Sequence, residues 1–375
     1  MKIKEIKAYN LFIPHEVKCR PPWAPGRVEE GREFTFIIIR TNEGISGYGG
    51  GNGHFAKDIE NKVKPYLINK SPYYIEDYIR ILQNAGNLWM VEIALWDIIG
   101  KSAGLPLYKL WGAARDQVKA YASTAELKDP QERAEQALHY CEEGFKAMKF
   151  RFHCETIEED LEILDAILDA IGDRDIDIMI DANQATLNLP SPERGPIWNY
   201  KRAYDTAREL EKRDVLWLEE PLGRWDFDNL ARLTKNVDIL IAGGEYNKAP
   251  HEFKWLIENK CYDIIQPDIV MAGSISQVKK IKNFCEFYNI PFIPHHGLSG
   301  FGLASIIHLV CTYPDWSYIE YMYDPPYRTV ETYQCLGGII TTPIRIDKKG
   351  FIKPLSDPGL GLKIDEKKIN EYIVN

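Results

Sequence analysis

The chain has 375 residues, of which 45% are hydrophobic and 27% are charged, and its formal net charge is −9. This length is enough for two domains, and the composition is that of an ordinary soluble protein. The negative balance argues against a nucleic-acid partner, which needs a basic face to neutralise phosphates. A bound divalent cation could still attract a small anionic substrate.

Seven cysteines are scattered along the chain, and no two of them form a Cys-x-x-Cys pair. This odd, dispersed set favours neither a disulfide framework nor a zinc site, so we expect a cytoplasmic protein in a reducing compartment. Residues 1–7 alternate charged and apolar side chains, which is typical of a strand and not of a signal peptide. No run of about 18 apolar residues occurs, so we expect no membrane partner.

Residues 1–117 predict an α+β capping domain. Strands come first and helices follow, including one over residues 91–102, and the strand candidates are residues 2–9, 33–40 and 47–53. Near the other end of the chain, residues 343–347 and 350–353 again look like strands. We expect the last segment, from about residue 340 to 375, to return and complete the first domain.

Residues 118–339 alternate short β-branched or aromatic runs with segments of helical period. There are eight such runs, at residues 118–124, 147–153, 175–183, 215–221, 239–245, 262–268, 291–296 and 318–323. Their spacing predicts an α/β fold with a (β/α)7β barrel, similar to a TIM barrel, whose metal and catalytic residues lie at one mouth. No Gly-x-Gly-x-x-Gly fingerprint follows a strand, which argues against a dinucleotide-binding fold.

Two of the intervening helices carry clear end signals. Asp129 followed by Pro130 predicts an N-cap and a first helical turn, and Gly144 marks the end of that helix. Thr156, with Glu159 three residues later, predicts a capping box at the start of the next helix. Apolar residues recur at helical spacing in both segments, so we expect both helices to pack on the barrel.

Three consecutive predicted strands, the third to the fifth, each end in an acid: Asp181, Glu219 and Glu245. In a parallel barrel these ends meet at one mouth, where three bare carboxylates would repel one another. One hard divalent cation would remove that repulsion, and a ligand set of oxygen atoms alone favours Mg²⁺. Each acid could instead cap the helix that follows it, but the repetition at three successive strands favours a metal site.

Three further strands carry groups suited to proton transfer. The second strand places Lys149 and Arg151 on one face, because side chains alternate along a strand. The sixth run ends at Asp268 and the seventh contains His295, so a carboxylate could hold one ring nitrogen and make the other a better base. The cations could instead form structural ion pairs with the acids, and His295, or more readily His296 beside it, could be a core histidine.

Other candidates lie on the eighth strand and in the first domain. Glu320 could donate a hydrogen bond if it is protonated, or it could neutralise an arginine or lysine. Two loops, residues 14–31 and 47–54, could close over the barrel mouth. In the first loop, Arg20 and Arg27 could meet a distal carboxylate or hydroxyl of a substrate, or could equally be solvated charges. The insert 186–200 could line the pocket or bridge subunits.

Several short stretches together resemble the enolase superfamily, and within it the mandelate racemase and muconate lactonizing enzyme group. The resemblance covers nearly the whole chain. In the first domain it rests on EIALWDIIGK (92–101), GLPLY (104–108) and LWG (110–112). In the barrel it rests on DAN (181–183), LEEP (218–221) and GGE (243–245), and in the tail on DPGLG (357–361).

This resemblance implies roles for particular residues. The residues that it implies as ligands of one Mg²⁺ per subunit are Asp181, Glu219 and Glu245. It also implies that Asp268 and His295 form a general acid–base dyad, and that Glu320 hydrogen-bonds the substrate carboxylate. Asn183 belongs to the Asp-Ala-Asn stretch, and we expect it to contact the substrate.

One departure from the family pattern bears on the reaction. Racemases of this group usually carry Lys-x-Lys on the second strand, whereas this chain has Arg151 at the second position, and arginine keeps its proton and is a poor base. Racemisation needs a base on each face of the substrate, but dehydration needs one base that can then act as an acid. We therefore predict a Mg²⁺-dependent lyase that dehydrates a sugar acid to a 2-keto-3-deoxy acid through an enediolate. In this prediction His295 is the base, and Arg151 and Lys149 hold the carboxylate or the developing oxyanion.

Two other interpretations stay open. An epimerase, racemase or cycloisomerase could use the same enediolate, since Lys149 could reach the other face of the substrate. A barrel that binds a ligand without catalysis is the third interpretation, and nothing in the sequence favours it. We further expect a small carboxylate substrate, a homo-oligomer and a role in carbohydrate acid metabolism.

Overall fold

The computed structural model describes residues 1–24, 26–186 and 196–374. The chain opens with a three-stranded antiparallel sheet in the order β1-β2-β3, formed by β1 (Ile3–Cys19), β2 (Glu29–Thr41) and β3 (Ser46–Asn52). The first two strands are longer than predicted, because their ladder continues to the pair Cys19 with Glu29. That extension lies beyond the apolar alternation on which the prediction rested.

Helices of the first domain cover one face of this sheet. They are α1 (Ala56–Asp58), α2 (Lys64–Leu67), α3 (Ile75–Asn84), α4 (Met90–Ala103) and α5 (Leu107–Leu110), with a π-helical turn at Ile59–Val63 between the first two. A Cβ atom at Gly47 would stand 2.1 Å from the carbonyl oxygen of Ala94, and one at Gly49 would stand 2.4 Å from that of Met90. The glycines of β3 therefore allow α4 to lie directly on the strand.

The second part of the chain forms a curled parallel sheet in the order β10-β4-β5-β6-β7-β8-β9. Its strands are β4 (Val118–Ser123), β5 (Ala147–Arg151), β6 (Asp177–Asp181), β7 (Trp217–Glu219), β8 (Leu240–Gly243), β9 (Ile264–Ile265) and β10 (Tyr318–Met322). The seventh predicted run, residues 291–296, contributes only a parallel bridge between Ile265 and Phe292. The α/β barrel with an N-terminal capping sheet is thus confirmed, with a bridge in place of one ladder.

Helices connect these strands on the outside. They are α6 (Pro130–Glu143), α7 (Ile157–Ile171), α8 (Tyr200–Glu211), α9 (Phe227–Asn236), α10 (Ala249–Glu258), α11 (Ile275–Tyr288) and α12 (Gly300–Val310). The predicted end signals are confirmed, since α6 begins with a capping box at Asp129 and stops at Gly144 in the left-handed region, and α7 begins with a capping box at Thr156. No helix in the described part of the chain is long and apolar enough to span a membrane.

The barrel interior is filled from below by one residue from each of the strands β4 to β10 and by Ile293 from residues 291–296. These eight side chains form a separate buried cluster: Tyr121, Ala147, Met179, Trp217, Ala242, Ile264, Ile293 and Tyr318. Because inward-facing side chains recur every second residue, the next inward positions lie one layer above this floor. Those positions include Lys149, Asp181, Glu219, His295 and Glu320. The apolar layer below therefore sets the height at which the polar side chains of the mouth lie.

The C-terminal segment divides between the two parts of the fold. Residues 350–353 were predicted to rejoin the first domain, but β11 (Phe351–Ile352) pairs antiparallel with β4, at the start of the barrel sheet. The segment beyond it does return to the first sheet, where Ile373 bridges Leu11. Glu366 there accepts hydrogen bonds from Arg40 and Tyr48 at 2.6 and 2.8 Å.

Candidate active site

Lys149 stands at the centre of the barrel mouth and is fully buried. Its Nζ atom lies 2.5 Å from Glu219 Oε1, 3.0 Å from Glu320 Oε1 and 3.5 Å from Asp181 Oδ2. Burial alone would lower the pKa of this lysine, but Glu219, and then Glu320, raise it above its usual range. Lys149 is therefore a fixed cation held by three carboxylates.

Arg151, two residues further along β5, is the second buried cation of the mouth. Its guanidinium forms an ion pair with Asp181 and donates to Ser123 Oγ at 3.0 Å and to the carbonyl of Thr124 at 3.1 Å. Burial would lower its pKa, but Asp181 raises it. The residue is permanently charged, as expected of arginine.

The three acids proposed from the sequence as metal ligands all lie at this mouth and are all buried. Glu219 accepts a hydrogen bond from Lys149 on Oε1. Its other oxygen, Oε2, accepts hydrogen bonds from Gln266 at 2.8 Å and from Trp217 at 3.1 Å. Asp181 accepts the backbone N–H of Asn183 at 2.8 Å. The carboxylates of Asp181 and Glu219 are thus already oriented by protein donors, and burial raises the pKa of Asp181 despite Arg151.

These acids do not form the most compact group of possible ligands. Among the described residues, the group whose ligand atoms lie within 4.8 Å of one another is His295, His296 and Glu320. Asp181 and Glu219 share the ammonium of Lys149 instead. The two basic side chains of β5 therefore balance part of the negative charge of these acids.

His295 and Asp268 make the contact that adjacent strands predicted. Nδ1 of His295 hydrogen-bonds Oδ2 of Asp268, and Nε2 lies 3.4 Å from Glu245 Oε2 and 3.6 Å from Glu320 Oε2. Burial alone would lower the pKa of this imidazole. Three carboxylates outweigh burial and raise that pKa to about 10: Glu245, Glu320 and Asp268.

Glu320 lies between cations and is ionised. Its Oε1 accepts a hydrogen bond from Ser123 Oγ at 2.6 Å and lies 3.0 Å from Nζ of Lys149. Burial would raise its pKa, but Lys149 and then His295 hold the pKa well below its usual range. A donor role for Glu320, which requires protonation, is disfavoured by this arrangement of charges.

Sequence reasoning passed over Glu220 and treated His296 as a core residue. Glu220 has a left-handed φ of 47°, and both of its buried carboxylate oxygens have no hydrogen-bond partner. Burial and then Glu245 raise its pKa well above the usual value. His296 lies beside His295, with 3.9 Å between ring centroids and an angle of 46° between the rings, and both histidines line one cavity. Each of the two directly follows a residue that the sequence had indicated as part of the site. Its position at the end of a strand was therefore the signal that could have identified it.

A cavity of about 710 Å³ opens above these groups and extends to the capping sheet. Arg151, Asn183, Glu245 and His295 line it from the barrel. From the first domain, Trp23 reaches over Arg151, with 5.4 Å from the guanidinium carbon to the ring centroid. The first predicted loop therefore does meet the mouth.

The nominated arginines of that loop differ in position. Arg20 is not among the cavity-lining residues, because its guanidinium pairs with Glu126 at 2.9 Å. Arg27 lines the cavity, but its side chain is 69% exposed and lies 3.9 Å from Glu29. In the insert, residues 187–195 lie outside the described part of the chain, and Trp198 is buried against Arg202.

The chemistry of the mouth fits Mg²⁺. Six buried carboxylates gather there, namely Asp181, Glu219, Glu220, Glu245, Asp268 and Glu320, against two permanent cations, Lys149 and Arg151. Both carboxylate oxygens of Glu220 lack a hydrogen-bond partner, so protein donors do not satisfy every oxygen at the mouth. An all-oxygen site with surplus charge is what a hard divalent cation requires.

The fold and the site together define a class of barrel enzyme that works with buried carboxylates under a capping sheet. Residues 132–368 match the family described as enolase C-terminal domain-like. Residues 13–112 match the mandelate racemase / muconate lactonizing enzyme N-terminal domain. The chain therefore belongs to the enolase superfamily, in its mandelate racemase and muconate lactonizing enzyme group.

Individual relatives agree with this family. Arabinonate dehydratase of Saccharolobus solfataricus is 29% identical over 99% of both chains. L-talarate/galactarate dehydratase of Salmonella typhimurium is 30% identical over 85% of this chain and 81% of its own. The crystal structure of that enzyme with Mg and L-lyxarohydroxamate superposes with a TM-score of 0.85 at 24% identity, covering 100% of this chain and 93% of the other. The 3,6-anhydro-D-galactonate cycloisomerase of Zobellia galactanivorans is 29% identical with a TM-score of 0.82 and covers all of both chains.

Proposed function

We propose that this enzyme removes the α-proton of a sugar acid and eliminates its β-hydroxyl as water, giving a 2-keto-3-deoxy acid. The observation that carries the proposal is the pair of His295 and Asp268, which directs the second imidazole nitrogen, Nε2, toward the acids of the mouth. The named activities of two relatives, both sugar-acid dehydratases, support the same reaction.

In this proposal Asp181, Glu219 and Glu245 hold Mg²⁺. When bound, the cation would supply positive charge that makes the α-proton of the substrate more acidic. Within the chain, Lys149 and Arg151 provide the fixed positive charge beside these acids. Of the two, Arg151 borders the cavity and is therefore placed to hold the substrate carboxylate, together with Asn183.

The proton follows a short path through one side chain. Nε2 of His295 takes the α-proton, and the electrons of that C–H bond form the enediolate. The C–O bond to the β-hydroxyl then breaks, and the departing oxygen takes the proton from His295 and leaves as water. The remaining enol becomes the 2-keto acid when its C2 hydroxyl loses a proton and C3 gains one, so atoms and charge balance without another reactant.

Asp268 and Glu245 affect this base in different ways. Asp268 accepts a hydrogen bond from Nδ1, so it fixes the tautomer in which Nε2 can accept a proton. Glu245 is the largest of the contributions that raise the pKa of His295. Neutralising Glu245 would therefore bring the imidazole closer to the unprotonated form that a base needs.

A second candidate, a cycloisomerase of a related carboxylate, is favoured by one comparison, the 29% identity with the Zobellia cycloisomerase over the whole chain. A racemase or epimerase needs a second base, and the natural choice, Lys149, is surrounded by three acids and absent from the cavity lining. Its raised pKa also makes it a poor base.

The decisive screen incubates the purified enzyme with a panel of sugar acids, with and without Mg²⁺, and assays 2-keto-3-deoxy acid. We expect at least one acid to give this product only when Mg²⁺ is present. Product analysis by NMR separates the candidates, because a cycloisomer keeps every atom of the substrate whereas dehydration loses water. Isomerisation of every reactive acid, with no loss of water, would reject dehydration.

A further inference from the structure

Arg32, on β2 of the capping sheet, is a buried cation without an anionic partner. Its side chain is 6% exposed and lines the active-site cavity. The guanidinium donates to three neutral oxygens: Asn52 Oδ1 at 2.6 Å, the carbonyl of Tyr333 at 3.1 Å and the carbonyl of Leu298. Within residues 1–24, 26–186 and 196–374, no carboxylate lies within ion-pair distance of it.

The acids near Arg32 are engaged elsewhere. Glu29 is the one that acts on it electrostatically, but its carboxylate forms an ion pair with Arg328. Glu30 also lines the cavity and pairs with Lys18 at 2.6 Å. Burial, followed by the positive charge of Arg328, lowers the pKa of Arg32 to about 10, so the residue is still charged at neutral pH.

A purely structural role explains only part of this arrangement. The three hydrogen bonds join Arg32 on β2 to β3, to the turn at Leu298 and to the π-helical turn Val330–Gln334, and a neutral donor could also make them. These hydrogen bonds use three of the five N–H groups of the guanidinium and leave its positive charge uncompensated. A buried charge without a partner is unfavourable unless an anion completes the site.

Three successive side-chain contacts connect Arg32 to the proposed base, His295. Its guanidinium carbon lies 4.3 Å from the ring centroid of Tyr333. The Tyr333 hydroxyl lies 2.8 Å from Nδ1 of His296, whose ring lies beside that of His295. Arg32 thus borders the same cavity as the base but on the side of the capping sheet, where the far end of a substrate would lie.

We propose that Arg32 binds a second carboxylate at the far end of the substrate, so that the preferred substrate is a sugar diacid and not a sugar monoacid. This inference rests on the proposed dehydration of a sugar acid. The guanidinium still has two N–H groups that could donate to a carboxylate. Hydrogen bonds between an arginine and a carboxylate are strong when they are shielded from water. The relatives do not decide between the two classes, since one is named for a monoacid, arabinonate, and the other for diacids.

Matched acids that differ only at the last carbon test this inference. We would compare galactarate with galactonate, glucarate with gluconate, and mannarate with mannonate, all with Mg²⁺. For the reactive pair we expect kcat/KM to be at least about 30-fold higher for the diacid. In Arg32→Gln this preference should fall to within a few-fold, mainly through a higher KM for the diacid, while the monoacid is little affected.

Control variants keep the test interpretable. Arg32→Lys retains the charge and should keep part of the preference, and Arg80→Gln removes an exposed arginine far from the cavity lining and should keep all of it. A wild-type preference for the monoacid would overturn the inference, and so would an equal loss for both acids in Arg32→Gln. If that variant does not fold, the wild-type comparison and Arg32→Lys still decide.

Failure of the proposed reaction gives a different result. If no acid yields a 2-keto-3-deoxy product, dehydration is rejected, and calorimetric binding of the same matched acids with Mg²⁺ then tests Arg32 alone. Tighter binding of the diacid by the wild type, lost in Arg32→Gln, would support the second carboxylate site. Equal affinities for both acids would overturn it.

Discussion

Asp268 Oδ2 accepts two hydrogen bonds, one from Nδ1 of His295 and one from the backbone N–H of Gly297 at 3.1 Å. The carboxylate is therefore held by the chain that carries the imidazole as well as by the imidazole itself. This leaves Nε2 of His295 as the only ring nitrogen that can exchange a proton with a substrate. The direction of the base is thus set before any ligand enters.

Replacing Asp268 by Asn should change both the rate and its pH dependence. The carboxylate of Asp268 contributes to the raised pKa of His295, so its loss lowers that pKa. Because a base acts only when it is unprotonated, the rising limb of kcat/KM should move to lower pH. The maximum should fall by about 10²- to 10⁴-fold, since the tautomer is no longer fixed.

The measurement for Asp268→Asn is a pH–rate profile of both enzymes between pH 5 and pH 10. Asp315→Asn, an exposed aspartate, serves as the control and should match the wild type. A rising limb that stays in place despite the lost carboxylate would show that His295 is not the titrating base.

Arg151→Lys should introduce chemistry that the natural enzyme lacks. Arginine cannot act as a base at neutral pH, whereas a lysine in its place can lose its proton once a bound Mg²⁺ offsets the negative charge of Asp181. We expect the variant to exchange the α-proton of its substrate in heavy water and to form some C2 epimer. The wild type should return unreacted substrate without inversion at C2.

Proton NMR of the recovered substrate checks this expectation. Epimer formed by the wild-type enzyme itself would contradict the one-base account, because it would mean that a second base already works at the site.

His308 should make the stability of the fold depend on pH far from the active site. Its Nδ1 accepts the backbone N–H of Tyr108 at 3.3 Å, its Nε2 lies 3.1 Å from the carbonyl of Leu360, and burial lowers its pKa to about 4. The unfolded chain binds a proton here near pH 6.5, so stability is complete above that pH and is lost as pH falls toward 4.

We expect this histidine to contribute about 2 kcal/mol of the stability lost between pH 8 and pH 5. Urea unfolding of the wild type and His308→Asn at both pH values measures the contribution. The variant should be less stable at pH 8 and lose less on acidification. The prediction fails if the two proteins lose the same free energy of unfolding.

Gly359 should tolerate no side chain, because the tail crosses α4 there. It has a φ of +78°, and a Cβ atom would stand 2.2 Å from Oδ1 of Asp97. That same oxygen accepts the backbone N–H of Leu360 at 3.0 Å. Gly359→Ala should therefore cost about 3 kcal/mol, from overlap and strain together.

Gly104→Ala is the matched control, since Gly104 also has a positive φ, +68°, but has open space around its Cβ position. Only backbone strain applies there, so we expect a loss of about 1 kcal/mol. Equal losses in the two variants, measured by urea unfolding, would contradict the proposed contact with Asp97.

The fold and the centre of the site follow from local sequence patterns. Strand alternation predicted that Lys149 and Arg151 share the mouth, and strand order predicted the contact of Asp268 with His295. These predictions succeed because a parallel barrel repeats one unit, so a residue's place in its own strand determines its height above the floor.

Other features depend on contacts that no local pattern encodes. Arg32 and Tyr333 are 301 residues apart in the chain, and they meet only because the capping sheet lies over the barrel. The pairing of β11 with β4 was likewise missed, since a two-residue strand carries too little periodicity to predict its partner. The same holds for Trp23, whose position over Arg151 depends on how the two domains pack.

The most direct test of α-proton removal by His295 is the reaction of a sugar acid with Mg²⁺ in heavy water, followed by NMR of the product from the wild type and from His295→Asn. The wild type should give a 2-keto-3-deoxy acid that carries one deuterium at C3, and removal of Mg²⁺ with EDTA should abolish it. His295→Asn should bind Mg²⁺ yet form the product at least about 10³-fold more slowly. Formation of the same product by His295→Asn at the wild-type rate would contradict the account.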